Sequence, residues 1–119
     1  MKGQIVVSKR DIVEVPFNLR QGVEIHPAIV LSVEEAIEME ESFIALMLTT
    51  SETDDEFSFP IKAKMLSKDL NVPFCQARLH LISFFQNTEI IRNSNYNNRI
   101  RTEFFKELIE KVNAKTFGV

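Results

Sequence analysis

Pro27-Ala-Ile-Val-Leu-Ser32 and Phe43-Ile-Ala-Leu-Met-Leu-Thr49 are two continuous apolar runs, each too short to stand as an independent helix. Such runs are the pattern of strands covered on both faces, so they mark the centre of a sheet. Upstream, Ile12, Val13, Val15 and Phe17 form a β-rich run in which Pro16 predicts a strand end. Asn18-Leu-Arg-Gln-Gly22 then reads as a turn or loop.

Between the two central runs lies Val33-Glu-Glu-Ala-Ile-Glu-Met-Glu-Glu41. Val33, Ala36 and Ile37 keep helical spacing there, with glutamates on the remaining faces. The segment reads as a short acidic helix or loop, or as a lip of negative charge beside a binding site, where it would repel phosphate. Downstream, Ser51 to Glu56 is an acidic connection, and Phe57-Ser-Phe-Pro-Ile61 alternates like an edge strand that tolerates Pro60. Leu66 to Pro73 reads as a loop. In Cys75 to Phe85, Ala77, Leu79 and Leu81 alternate with Gln76, Arg78 and His80, which predicts a half-buried strand.

After the polar segment Asn93 to Asn98 the period changes, and Ile100, Phe104, Phe105, Leu108, Ile109 and Val112 fall on one helical face. A C-terminal helix is expected over residues 99–115, capped by Asn98 or Thr102, with Glu103 at its positive end and Lys111, Lys115 and Gly118 at its finish. The fold expected is mainly β, a β-barrel plus C-terminal helix, in one domain over residues 1–119 with the β-rich part in 1–92. Its predicted core is Ile12, Val15, Ile29, Leu31, Ile44, Leu46 and Leu79, with the helix packed on it through Phe105, Leu108 and Val112.

With 45% apolar and 26% charged residues, the chain has the composition of a folded protein rather than a disordered one. Ten Phe and no Trp point to rings used for packing. A single cysteine, Cys75, excludes an internal disulfide and suits a reducing, cytoplasmic setting. The apolar run in the first ten residues is too short for a signal peptide or a membrane span, so no membrane partner is expected. His26, His80 and Cys75 lack the paired spacing of metal ligands, and no Gly-rich phosphate loop or nucleophile elbow is present. No metal and no cofactor are expected. Residues 1–56 carry 4 basic and 12 acidic groups, whereas residues 57–119 carry 10 basic and 5 acidic, a dipole able to orient a charged partner.

Taken in order, Arg10-Asp-Ile-Val-Glu-Val-Pro-Phe17, a loop with Gly22, His26-Pro-Ala-Ile-Val-Leu-Ser32 and Ala45-Leu-Met-Leu-Thr-Thr-Ser51 resemble the MazF/PemK toxins. Those open with a Gly-Asp-Ile-Val-type strand, pass a mobile loop to an Arg-Pro-Ala-Leu-Val-Ile-Ser-type strand, and reach a strand ending in Thr-Ser. The resemblance covers about half the chain. It implies an SH3-like barrel, a homodimer, an antitoxin protein as partner, and cleavage of single-stranded RNA without a metal. The family's site arginine and threonine match His26 and Thr50 here, followed by Ser51, and the opening glycine matches Arg10.

His26 and Thr50, matched by the resemblance, are the catalytic candidates; the substrate-binding ones are Ser51 after Thr50, Arg20 and Gln21 in the loop that the family closes over RNA, and Arg78 on the polar side of its strand. A guanidinium stays charged and grips phosphate with two parallel donors, whereas imidazole moves a proton near neutral pH. Two readings follow. The chain is a toxin-like endoribonuclease in which His26 is the acid or base, or it is a catalytically degenerate barrel serving as a dimeric protein- or peptide-binding module. The acidic stretches Glu34 to Glu41 and Glu52 to Glu56 favour the second.

Overall fold

The computed structural model describes residues 6–68, 74–91 and 97–119. The expected loop from Leu66 to Pro73 and the polar segment from Asn93 therefore lie partly outside the described residues.

Strands β1 (Asp11–Leu19) and β2 (Gly22–Val30) form a hairpin closed by Arg20 and Gln21 alone, with Gly22 at a φ of +127°. The loop expected over Asn18 to Gly22 is thus a tight turn. Pro16 does not end its strand; it sits inside β1 opposite Ile25. Counting from the Leu19–Gly22 pair at the turn, Pro16 occupies a wide, non-hydrogen-bonded position whose nitrogen faces away from β2. On that outer flank β6 reaches only Ile12, so the missing N–H costs no ladder bond.

A short helix α1 (Glu34–Glu40) leads into β3 (Ser42–Thr49), followed by β4 (Ser58–Pro60), β5 (Gln76–Gln86), β6 (Asn98–Arg99) and helix α2 (Thr102–Val112). The strands are antiparallel neighbours in the order β4-β5-β3-β2-β1-β6, with Pro60 on the edge strand as expected. The segment after β4 meets the segment after β6. Ser67 N–H donates to the Arg99 carbonyl (2.8 Å), Arg101 N–H donates to the Met65 carbonyl (2.8 Å), and Leu66 bridges Ile100. These bonds close the sheet into a barrel.

The interior holds Ile12, Ile29, Leu46, Leu48, Leu79 and Ile100, and α2 packs Phe105, Leu108 and Val112 onto it. The opposite face of the same strands carries Val13, Val15, Phe17, Ala28, Met47 and Phe85, under Val7, Ile37 of α1 and Ile90. β2 and β3 are therefore buried on both sides at their shared centre, which is why their sequences are unbroken apolar runs. Ile44 departs from the predicted core: it is 42% exposed and pairs across the sheet with Phe84, also exposed. Leu31 is only partly buried.

Ile100 belongs to the barrel seam rather than to the helix, which starts at Thr102 after Arg101 with no side-chain cap. Asn98 does not cap either. It is buried in β6, where its Oδ1 accepts from Ser67 Oγ (2.8 Å) and Lys68 N–H (2.9 Å). After Val112 the backbone widens into a looser turn over Asn113–Phe117, ended by Gly118 at a φ of +72°.

At the start of β1, Arg10 adopts a φ of +79°, the left-handed region that suits glycine. A non-glycine residue pays roughly 1–2 kcal/mol there, and here the Arg10 guanidinium donates to the Ile100 carbonyl at 2.7 Å. The barrel geometry accounts for the glycine of the resembling motif, and the contact to Ile100 gives the arginine a compensating role. Among the described residues, no helix is long and apolar enough to cross a membrane.

Candidate functional site

Because β2, β3 and β5 run antiparallel in turn, the start of β2, the end of β3 and the start of β5 meet at one end of the barrel. That end gathers Gln21, Glu24 and His26, then Thr49, Thr50 and Ser51, then Cys75 and Gln76. Ala28 on β2 stands opposite Met47 on β3, and side chains alternate faces along each strand. His26 and Thr49 therefore share the outer face, each two residues beyond that pair. Thr50, the threonine matched by resemblance, lies past the strand in an exposed bend.

His26 is rooted in the outer cluster. It faces Val15 across the hairpin, and Phe17 meets its ring edge-on at 6.0 Å. Its side chain remains 18% exposed, so solvent and small reactants reach it. His26 Nε2 lies 3.1 Å from Glu24 Oε1, and Gln21 Nε2 donates to Glu24 Oε2 at 2.7 Å. The hydrogen bond from Gln21 and then the one from His26 hold the Glu24 carboxyl below the usual carboxylate range. Glu24 was not legible as a site residue in the sequence read by motif. The signal was its spacing: on a strand, residues two apart share a face.

The hydroxyl-bearing turn is held by its neighbours. Ser51 N–H donates to Thr49 Oγ1 (3.2 Å), and Ser51 Oγ and Thr53 Oγ1 lie 2.9 Å apart. Cys75 N–H donates to the Thr49 carbonyl (2.9 Å), and Gln76 Nε2 donates to the Ser51 and Thr53 carbonyls, each at 2.7 Å. Gln76 is buried, although alternation with Ala77 placed it on a polar face. Its amide has a task there: it satisfies carbonyls of the turn that a nonpolar side chain would leave unpaired.

Arg20 is exposed at the hairpin tip and makes no ion pair among the described residues. Arg78 is committed elsewhere. Its two terminal nitrogens donate to the two carboxylate oxygens of Asp55, both at 3.0 Å, and Nη1 also reaches Ser58 Oγ at 2.9 Å. With a side chain only 13% exposed, it clamps the acidic connection to β5 instead of facing a ligand. His80 is exposed and its ring lies tilted against Phe57 with centroids 4.6 Å apart.

The clamp makes a testable pH signature. The Arg78 guanidinium, then the Phe57 backbone N–H, lower the Asp55 carboxyl from its usual 3.8 to about 2. A carboxyl depressed on folding contributes stability above the unfolded value and loses it as pH falls through the folded one. Thermal melts should thus fall more steeply between pH 4 and pH 2 for wild type than for Asp55→Asn, by a small margin because the group is exposed. Identical pH slopes would contradict the clamp.

The acidic lip is only half where the sequence placed it. Residues 52–56 sit at the His26 end of the barrel, but α1 follows the far end of β2 and packs Ile37 on the opposite part of the outer face. Among the described residues, no three His, Cys, Asp or Glu side chains converge as metal ligands.

The six-stranded antiparallel barrel packed by a C-terminal helix is a MazF-like toxin fold. The chain is similar to MazF from Deinococcus radiodurans in its form I (TM-score 0.72, 14% identity, 92% of this chain and 96% of that one). It is similar to the MazE–MazF structure of the same organism in form III (TM-score 0.70, 15% identity, 92% and 95%). An endoribonuclease from a mycobacterial species in complex with its cognate antitoxin aligns over 96% of this chain and 97% of that one, at a TM-score of 0.68 and 12% identity. At such identities the likeness is one of fold. No protein-family profile and no curated protein sequence matches the chain.

Proposed function

We propose that this protein is a toxin-like endoribonuclease of a toxin–antitoxin pair, cleaving single-stranded RNA without a metal. The observation that carries the reading is an accessible imidazole on the outer face of a MazF-like barrel, at the end that also bears Thr49, Thr50 and Ser51. His26 takes the proton of a ribose 2′-hydroxyl. The 2′-oxygen then bonds to the adjacent phosphorus, the bond from phosphorus to the 5′-oxygen breaks, and that oxygen collects a proton from water. Thr50, Ser51 and Thr49 offer hydroxyls to the phosphate oxygens, and Arg20 at the hairpin tip supplies an exposed positive charge. The partners are an antitoxin, as in the complexes of similar fold, and a second copy of the chain.

Incubation with a long unstructured RNA in EDTA tests this. The expected products carry 2′,3′-cyclic phosphate and 5′-hydroxyl ends, and chelation leaves the rate unchanged. No cleavage across a broad pH range would favour the binding module. One observation supports that second reading: a groove of about 420 Å³ between β4 and α2 is lined by Lys62, Lys64, Lys111 and Lys115, which outnumber its two carboxylates, Glu56 and Glu107. Such a groove suits an acidic peptide.

A further inference from the structure

His26 does not stand alone on its strand. Its Nε2 lies 3.1 Å from a Glu24 carboxylate oxygen, and Glu24 is in turn fixed by the 2.7 Å bond from Gln21 across the hairpin turn. An ionised carboxylate only accepts, so the hydrogen between them belongs to Nε2. In the neutral ring the second nitrogen, Nδ1, is then the bare one, and it makes no hydrogen bond among the described residues. Phe17 also meets the ring edge-on, at a centroid distance of 6.0 Å.

We propose that Glu24 is a positioning residue: it fixes the tautomer and orientation of His26 so that Nδ1 is the atom that exchanges a proton with the substrate, and Gln21 holds Glu24 in place for that task. This rests on the ribonuclease reading for its catalytic consequence. Val15 and Phe17 of β1, beside the imidazole, are apolar, and Glu14 belongs to the opposite face by alternation, so among the described residues Glu24 is the charged group bonded to the ring.

The consequence runs from residue type to kinetics. Orientation by a hydrogen-bonded neighbour acts on the chemical step, so its loss lowers kcat while KM, set by phosphate contacts elsewhere, stays put.

Nitrogen-15 NMR of His26 and steady-state cleavage of single-stranded RNA, on wild type, Glu24→Ala and Glu24→Gln, test the proposal. His80→Gln assigns the two histidine spectra. In wild type the Nε2 hydrogen should be directly visible in slow exchange with water, and Nδ1 should be bare in the neutral ring. In Glu24→Ala that signal should vanish and the Nδ1–H form should rise several-fold, with kcat down on the order of tenfold and KM within about twofold. Glu24→Gln keeps an acceptor and should recover the signal and part of the rate. A wild-type ring protonated on Nδ1, or a Glu24→Ala protein with unchanged spectrum and kcat, would overturn the assignment. Absence of RNA cleavage by wild type would defeat the ribonuclease reading instead, and the spectra would still decide whether Glu24 sets the tautomer.

Discussion

His26→Ala should lower RNA cleavage on the order of a hundredfold or more, with the fold intact. Its side chain is partly exposed and contacts Phe17 only edge-on, so truncation opens no sealed cavity. What it removes is the proton carrier. His26→Arg is the sharper variant, because it restores the residue found in the resembling motif and places a fork of donors beside Glu24. If gripping phosphate limits the reaction, the arginine enzyme keeps or gains activity; if proton transfer limits it, the arginine enzyme is as poor as the alanine one. Equal cleavage by wild type and His26→Ala would assign the chemistry to another residue.

The second large effect is on stability. Phe85 is 1% exposed and touches Phe17 at a centroid distance of 5.0 Å and Phe43 at 5.9 Å, so it joins β1, β3 and β5 on the face that also carries His26. Phe85→Ala should cost about 3–5 kcal/mol, through lost burial and the cavity left behind. A domain of this size has only about 5–15 kcal/mol in hand, so the melting temperature should drop on the order of 10 °C or more. Its chain neighbour is the control. Phe84 is 61% exposed, and Phe84→Ala should change stability by no more than about 0.5 kcal/mol. Equal losses in the two variants, measured by thermal or urea unfolding, would contradict the outer cluster as described.

These contrasts show where the sequence was informative. The runs beginning at Pro27 and Phe43 were legible as central strands because burial on both faces erases the polar alternation that would otherwise disguise them. The bounds of β1 were not legible, since Pro16 signals a strand end unless its nitrogen faces an unpaired flank, and only the hairpin register shows that it does. Ile100 kept the helical period with Phe104 and Leu108, yet its burial comes from Leu66 across the barrel seam. Periodicity cannot see a partner that distant.

The candidate site divides in the same way. His26 was visible beside Pro27, and Glu24 becomes visible once β2 is known to be a strand. Arg78 looked available because Asp55, which occupies its guanidinium, lies 23 residues earlier and meets it only through the pairing of β4 with β5. Thr49 and Thr50 are adjacent in sequence but differ in setting. The last strand position faces the same side as His26, and the next residue is already in the turn.

The most direct test of the account is the dependence of cleavage on one hydroxyl. An RNA oligonucleotide with a single mapped cut is resynthesised with 2′-deoxyribose on the 5′ side of the scissile phosphate and incubated with wild-type protein in EDTA. The account predicts that the all-ribose strand is cut to a cyclic phosphate end while the substituted strand binds and stays intact. Cutting of the substituted strand at the same phosphate, or failure to cut the all-ribose strand at all, would contradict it.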